Sequence, residues 1–234
     1  MMKAAFYQKA CGALLCLLSV LPLCALASGG IALNTTRIIY SQEAKQTSVS
    51  VRNTADKAAY LVQSWVEDKE GNKTKDFIVT PPLFTSRAKN ENILRLMYSG
   101  SALPTDRESL YFFNTKAIPS VDRSSLEEKN TLILATITRI KLFVRPTGLK
   151  LAPDAAPAAL RFKKAGDKLE INNPTPYYLT LTDIKMGSQK LQDIMVAPFS
   201  SDSLAMPAGK NGEISFSTIN DYGAVTPPQK GVIQ

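Results

Sequence analysis

The amino-acid sequence predicts an all-β protein with two β-sandwich domains in series. Short runs of alternating apolar and polar residues recur at spacings of about 8–12 residues, which is typical of antiparallel sandwiches. Turn-forming residues separate these runs, and no segment shows a helical period. The chain has 234 residues, enough for two domains of roughly 100 residues each. Two immunoglobulin-like sandwiches in series explain the pattern most simply.

The first 27 residues are predicted to be a cleaved secretory signal peptide. Lys3 and Lys9 precede an apolar run over residues 12–26, which ends in the small-x-small pattern Ala25-Leu26-Ala27. This order of charge, apolar run and small residues is typical of signal peptides. The run is too short and too proline-broken for a membrane-spanning helix. Ser28 is therefore the predicted first residue of the mature chain.

Cysteine usage and charge exclude several classes of function. All three cysteines, Cys11, Cys16 and Cys24, lie within the leader, so the predicted mature chain of 207 residues has no disulfide. Its stability must come from its cores, although export would permit a disulfide. The mature net charge is +6, from 26 Lys and Arg against 20 Asp and Glu. This charge forms no long block, and with export it argues against a nucleic-acid partner.

The strand-like runs form two sets. The first set of seven predicted strands covers residues 31–40, 47–51, 60–67, 77–84, 92–97, 110–114 and 132–144. The second set of six covers residues 160–163, 168–172, 177–184, 190–196, 212–218 and 231–233. A proline-rich and alanine-rich linker separates them. The predicted boundaries are residues 28–146 for the N-terminal domain, 147–157 for the linker and 158–234 for the C-terminal domain.

The last strand of the first set, LILATITRIKLFVRP over residues 132–146, is unusual because it is apolar on both faces. Leu132, Leu134 and Leu142 have one parity, whereas Ile137 and Phe143 have the other. An ordinary strand of a small sandwich alternates apolar with polar residues. Three explanations remain open at this point: a central strand buried on both faces, a strand that crosses between sheets, or an exposed edge that another chain completes.

The mature chain lacks the residues on which most catalysis depends. It contains no histidine and no cysteine, which removes the commonest general base, the thiol nucleophile and most zinc sites. A Ser-x-x-Lys spacing at Ser86–Lys89 matches some acyl-transfer enzymes, but no accompanying element is evident. The sequence therefore predicts a protein that is not an enzyme and needs no metal or cofactor.

Several motifs in the right order resemble those of one family. The sequence is similar to the periplasmic chaperones of chaperone–usher pili, and most similar to the type 1 pilus chaperone. The resemblance covers essentially the whole mature chain. The motifs that carry it are residues 36–40 (TRIIY), 80–84 (TPPLF), 103–114 (LPTDRESLYFFN) with Ile118-Pro119, 139–146 (RIKLFVRP), 173–178 (NPTPYY) and 219–224 (INDYGA).

The resemblance implies a function for the long strand. In this family the strand lends alternating apolar side chains to a pilin that lacks its own final strand, a mode of recognition called donor-strand complementation. The residues that match the donated positions are Leu132, Leu134 and Thr136. Arg37 and Lys141 match the pair that grips the carboxylate at the C-terminus of the pilin. The family usually has a bulky apolar residue where Thr136 stands, so either Thr136 or Ile137 is expected to fill the third subunit pocket.

The resemblance also implies an interdomain ion network, a set of partners and a location. Glu108, Arg145 and Asp221 match charged residues that join the two domains. The expected partners are pilus subunits, which the chaperone protects from aggregation, and an outer-membrane usher that receives them. The expected location is the periplasm, and no nucleotide is required. The sequence leaves open whether the free chain caps its exposed strand by forming a dimer.

Two other classes of function remain as alternatives. A surface component such as an adhesin or a pilus subunit would normally be one truncated domain, often with a cysteine pair, and neither feature is present. A periplasmic hydrolase is disfavoured because the mature chain has no histidine or cysteine.

Overall fold

The computed structural model describes residues 29–121, 132–206 and 212–233. The predicted signal peptide, residues 1–27, lies outside these ranges. Within them, no helix is long and apolar enough to cross a membrane. The described chain is nearly all β-structure, with one short 3-10 helix at Ala156–Ala159.

Nine strands form the first β-sandwich. They are β1 (Ile31–Leu33), β2 (Arg37–Ser41), β3 (Thr47–Asn53), β4 (Tyr60–Glu67), β5 (Phe77–Thr80), β6 (Leu83–Ser86), β7 (Glu91–Tyr98), β8 (Ser109–Pro119) and β9 (Thr136–Arg145). One sheet has the order β1-β3-β7-β5, and the other has the order β2-β9-β8-β4-β6. The core between them includes the fully buried side chains of Val51, Val62, Leu94, Phe113 and Leu142.

Two predicted strands of the first domain are each divided between the two sheets. The predicted strand 31–40 consists of β1, which pairs with β3, and β2, which pairs with β9. The predicted strand 77–84 consists of β5 and β6, which lie in opposite sheets. Pro81 and Pro82 separate these two strands, and a proline cannot donate a backbone hydrogen bond to a ladder. The prediction of single strands was wrong at both places.

Nine further strands form the second β-sandwich. They are β10 (Arg161–Ala165), β11 (Lys168–Asn173), β12 (Leu179–Met186), β13 (Gln189–Lys190), β14 (Ile194–Val196), β15 (Ser200–Ala205), β16 (Ile214–Thr218), β17 (Gln229–Lys230) and β18 (Val232–Ile233). One sheet has the order β15-β11-β10-β18; the other has the order β13-β12-β16-β17, with β14 also paired to β12. Phe162, Ile171, Leu181 and Ile184 are fully buried between them.

Strand β9 is paired on both sides along only half of its length. It pairs with β8 from Thr136 to Val144, but its parallel pairing with β2 covers only Lys141 to Arg145. Residues 136–140 therefore form an edge of the five-stranded sheet, which we call the open half of β9. The strand was predicted to start at Leu132, but it starts at Thr136, so residues 132–135 lie ahead of it.

The two apolar faces of β9 have different explanations in its two halves. In the second half, Leu142 and Val144 lie in the sandwich core, and Phe143 faces the other domain, where its ring lies 5.7 Å from that of Tyr178. Ahead of the strand, Leu132 and Leu134 are 81% and 69% exposed. The second half of β9 is therefore a buried central strand, and its first half is an uncovered edge.

This division predicts a large loss of stability for one leucine-to-alanine substitution and almost none for another. Leu142→Ala removes a side chain with no exposed surface and is expected to lower the free energy of unfolding by about 2–5 kcal/mol. Leu134→Ala removes an exposed side chain and is expected to change that free energy by less than about 0.5 kcal/mol. Urea denaturation followed by circular dichroism measures both. Equal losses in the two variants would contradict an open first half.

Candidate functional site

Two cations lie side by side where the open half of β9 ends. Arg37, the first residue of β2, is the register partner of Lys141 on β9. The second domain holds both side chains. Lys141 Nζ donates a 3.0 Å hydrogen bond to Thr180 Oγ1, and Arg37 Nη1 donates a 3.0 Å hydrogen bond to the carbonyl oxygen of Ile219. These contacts aim both cations into the cleft between the domains.

The positive charge of this pair is not neutralised within the described residues. Neither Arg37 nor Lys141 forms an ion pair there, and Arg37 Nε is buried without a hydrogen-bond acceptor. Burial lowers the pKa of Arg37, against the raising effect of Asp221 and Glu108. Burial also lowers the pKa of Lys141, and the charge of Arg37 lowers it further. Two partly desolvated cations with a spare donor form a site suited to an anion, such as a carboxylate.

The residues predicted to be donated lie next to this pair along the chain. Thr136 is the first residue of β9 and pairs with Ala117, and its side chain is exposed. By strand alternation Thr136 has the same face as Ile140, which points into the core, whereas Ile137 has the opposite face and is 56% exposed. Thr136 and Ile137 therefore present their side chains to different sides of the sheet.

Three charged residues link the two domains. Arg145 Nε donates to Glu108 Oε1 at 2.7 Å, and its two terminal nitrogens donate to the carboxylate of Asp221 at 2.7 and 2.8 Å. The other oxygen of Glu108 accepts a hydrogen bond from the backbone N–H of Tyr178 at 2.8 Å. Glu108 is 3% exposed, so Arg145 compensates a carboxylate that is removed from water.

The loop after β16 connects this network with the cation pair. Its residue Ile219 accepts the hydrogen bond from Arg37, and its residue Asp221 binds Arg145. Gly223 has a φ of +83° and lies against Thr36, so closely that an added Cβ would overlap the Thr36 hydroxyl. Glycine is favoured by both the backbone conformation and the close approach.

Sequence reasoning missed part of this site. Thr180 and the carbonyl of Ile219 were not predicted, because both come from the second domain. Thr180 has no local sequence signal, and the motif that contains Ile219 gave no role to its carbonyl. Gly223 lies within a motif that was noticed, and its position after Asp221 could have indicated a tight turn. Within the ranges that the structure describes, no group of three or more His, Cys, Asp or Glu side chains could hold a metal ion.

Comparison with protein families identifies the chain. The family model of the pili and flagellar-assembly chaperone, PapD N-terminal domain, matches residues 30–150. The model of the pili assembly chaperone PapD, C-terminal domain, matches residues 155–230. The chain belongs to the PapD family of pilus-assembly chaperones. The predictions of two immunoglobulin-like domains, of this family and of a chaperone rather than an enzyme are therefore confirmed, and the alternatives of a surface component and a hydrolase are rejected.

Individual PapD-family proteins agree with this assignment. The probable fimbrial chaperone SfmC of Escherichia coli K12 is 49% identical over 201 residues, which are 86% of this chain and 87% of SfmC. The crystal structure of the periplasmic chaperone SfaE matches with a TM-score of 0.76 and 43% identity, over 88% of this chain and all of that one. A chain in the complex of the Salmonella enterica SafA pilin with the SafB chaperone matches with a TM-score of 0.79 and 32% identity, over 87% and 96% of the two chains.

The ion network predicts a pH-dependent loss of stability when Arg145 is removed. Arg145→Ala leaves Glu108 buried, with an N–H group but no cation beside it, and is expected to lower the free energy of unfolding by about 3–5 kcal/mol at neutral pH. Burial already raises the pKa of Glu108 above its ordinary 4.5, and Arg145 opposes that rise. In the variant the pKa rises further, so the loss is small near pH 5 and grows as the pH increases and the carboxylate ionises.

Urea denaturation of wild type and variant at about pH 5 and about pH 8 measures this difference. Lys190→Ala is the matched control, because its ion pair with Asp183 is exposed, and its effect on stability is expected to be small at both pH values. A loss in Arg145→Ala that is equal at the two pH values would contradict the coupling of Glu108 to Arg145.

Proposed function

We propose that this PapD-family chaperone acts in the periplasm, binds pilus subunits by donating the chain around the open half of β9, and delivers them to an outer-membrane usher. The observation that carries the proposal is the boundary at Lys141. On one side of it β9 is fully paired, and on the other its edge is open. Two unneutralised cations, Arg37 and Lys141, lie at that boundary.

The position of the cations determines which way a bound strand must run. The free edge covers residues 136–140 and ends where Arg37 begins β2. A strand that fills this edge with its terminal carboxylate at Arg37 and Lys141 lies end to end with β2. It therefore runs in the direction of β2, parallel to β9. An internal segment has no main-chain carboxylate in line with its strand, so the pair favours a chain end and fixes the register.

The side chains before and at the start of β9 would then enter the subunit. Leu132 and Leu134 are the most exposed large apolar side chains on this stretch, and burial of each contributes roughly 1.5–3 kcal/mol. Backbone pairing adds affinity that is largely independent of sequence, which suits a chaperone with several subunits. A slip by one residue would present the opposite face, so the anchor and the leucines enforce the same register.

Thr136 and Ile137 differ in what they can offer at the third position. Thr136 continues the parity of the two leucines, whereas Ile137 points to the opposite face. We infer that Thr136 is the donated residue unless the strand shifts locally, and that the third pocket of the subunit is shallow or has a polar partner for the hydroxyl.

Covering the subunit explains protection from aggregation without a nucleotide. A subunit that lacks a strand exposes an apolar groove and an unpaired edge, and both promote association. Strand donation fills the groove and pairs the edge in one step. The SafA pilin in complex with SafB is a precedent for subunit binding in a structural relative, and the periplasmic chaperone SfaE is a precedent for the location. Without a subunit, a second copy could cover the same edge.

Affinity purification from the periplasm tests the proposal. The tagged mature chain is expected to recover small secreted pilins at one-to-one stoichiometry, identified by mass spectrometry. Arg37→Ala and Lys141→Ala are each expected to abolish this recovery, because each removes one or more charge-assisted hydrogen bonds of roughly 1.5–3 kcal/mol. Lys190→Ala, an exposed cation of the second domain, is the control that should recover pilins as wild type does.

Two outcomes would count against parts of this proposal. Recovery that survives both anchor substitutions would keep subunit binding but reject the carboxylate anchor. No recovery by a folded and abundant wild-type chain would reject subunit binding itself. Size-exclusion chromatography of the same preparation shows whether the free chain is a dimer.

The lowered pKa of Lys141 predicts that subunit binding weakens in alkali. In the free chain the pKa of Lys141 lies below its ordinary value of 10.5. A bound carboxylate favours the charged ammonium and so raises this pKa in the complex. Affinity is therefore expected to fall, by up to about tenfold per pH unit, once the pH exceeds the pKa of free Lys141. Lys141→Arg keeps its charge and should not show this fall. Titration by fluorescence anisotropy from pH 7 to about 11 distinguishes the two; an identical fall in both would exclude Lys141 as its cause.

A further inference from the structure

A clamp crosses the outer face of three strands beside the open half of β9. Arg139 Nη2 lies 3.2 Å from Glu67 Oε2, and its guanidinium carbon lies 3.8 Å from the centre of the Phe112 ring. The other oxygen of Glu67 accepts a 2.9 Å hydrogen bond from Trp65 Nε1. We propose that Arg139 is a positioning residue that holds the open half of β9 in strand conformation before a subunit binds. This inference rests on the function proposed above.

The register of the sheet shows why these contacts act as a clamp. Arg139 pairs with Asn114 on β8, and Asn114 pairs with Trp65 on β4. The guanidinium does not stay in this row. It reaches two rows along the sheet, to Phe112 on β8 and Glu67 on β4, which lie in the row of Lys141. One side chain of the open half is thereby fixed to the next two strands of its sheet.

The clamp is more ordered than an ordinary surface charge. The Glu67 side chain is only 18% exposed, and its two oxygens have different partners. The turn after β4 passes close by, because a Cβ added to Gly71 would lie 3.5 Å from the Arg139 guanidinium. A planar cation stacked on a ring and bonded to a fixed carboxylate loses little further freedom when the strand is used.

The open half needs such support because β2 gives it none. Beyond Lys141 the strand is bonded on both sides and buried, but residues 136–140 have β8 as their strand partner on one side only. Thr136 and Ile137 are exposed, so apolar packing does little to order them. A strand that is already extended in the free chain loses less conformational entropy on binding, which favours association.

Arg139 lies on the face opposite to that of the proposed donated side chains. By strand alternation it shares its face with Lys141 and Phe143, whereas Thr136 shares its face with Ile140. The proposed donated side chains therefore point away from the clamp. Arg139 would act through the backbone of β9, and its effect should also depend on Glu67 and Phe112.

Hydrogen exchange of the free chain tests the clamp without a ligand. Arg139→Ala is expected to accelerate exchange at the amides of residues 136–140 that bond to β8, by about five- to tenfold, as expected for loss of one cation–π contact and one partly exposed ion pair. Arg139→Lys, which keeps the charge but not the planar stack, should be intermediate. Glu67→Gln should accelerate the same amides. Arg95→Ala, an exposed cation on β7, is the matched control with unchanged exchange there.

The proposal predicts a local effect, with a Tm within about 2 °C of the wild-type value. Unchanged exchange in Arg139→Ala would overturn it. Faster exchange across both domains with a lowered Tm would also overturn it, because that result indicates general destabilisation. Phe112→Leu should match Arg139→Ala; if it unfolds the chain, Glu67→Gln provides the same comparison.

The binding measurement uses the pilin recovered with the wild-type chain. Arg139→Ala and Glu67→Gln are expected to lower its association rate constant severalfold and to change the dissociation rate constant little, because the clamp orders the free state. Weaker binding in Arg139→Ala alone, with unchanged exchange, would instead indicate direct contact between Arg139 and the pilin and reject positioning. If the wild-type chain recovers no pilin, the proposed function fails. The hydrogen-exchange experiment then tests by itself whether Arg139 orders the open half of β9.

Discussion

The incomplete pairing between β2 and β9 is the constraint on which the site depends. Strand β2 begins at Arg37, opposite Lys141, and runs parallel to β9 only as far as Arg145. The start of β2 therefore defines three things at once: where the free edge of the sheet stops, where two cations meet, and which direction a further strand would have to take. A longer β2 would close the edge, and an antiparallel β2 would begin at the other end of the overlap with β9.

The second domain turns the place where β2 begins into a binding site, because it holds the two cations there. Phe143 would expose its ring on the outer face of the first sandwich if Tyr178 did not cover it. Thr180 and the carbonyl of Ile219 hold the two cations without neutralising them, since a hydroxyl and a carbonyl carry no net charge. The carboxylates of the interface are bonded to Arg145 instead. Because the carboxylates of the interdomain ion network bind Arg145, they do not form ion pairs with Arg37 or Lys141.

Local patterns in the sequence were sufficient for the fold class but not for the ends of the strands. Alternation of apolar residues continues through Leu132 and Leu134, yet the ladder with β8 stops at the pair of Thr136 and Ala117. By the same register Pro119 would face Leu134, and it has no N–H to donate. A strand needs a partner as well as a pattern. The family motifs were enough to predict Arg37, Lys141 and the ion network. Partners such as Thr180 could not be predicted, because they depend on how the two domains meet.

An open edge with exposed leucines is an aggregation hazard, so the edge must bind pilus subunits without pairing with other strands. Lys141, at the end of the open half of β9, works against indiscriminate pairing, because a strand that ends there must bring its own compensation for a desolvated charge. In the proposed mode of binding, the charge of Lys141 is compensated by an anion at the end of the edge. Arg139 is already compensated by Glu67, so it makes no such demand on a ligand. On this proposal, selectivity comes from the chain end of the ligand, and most of the binding energy comes from its groove.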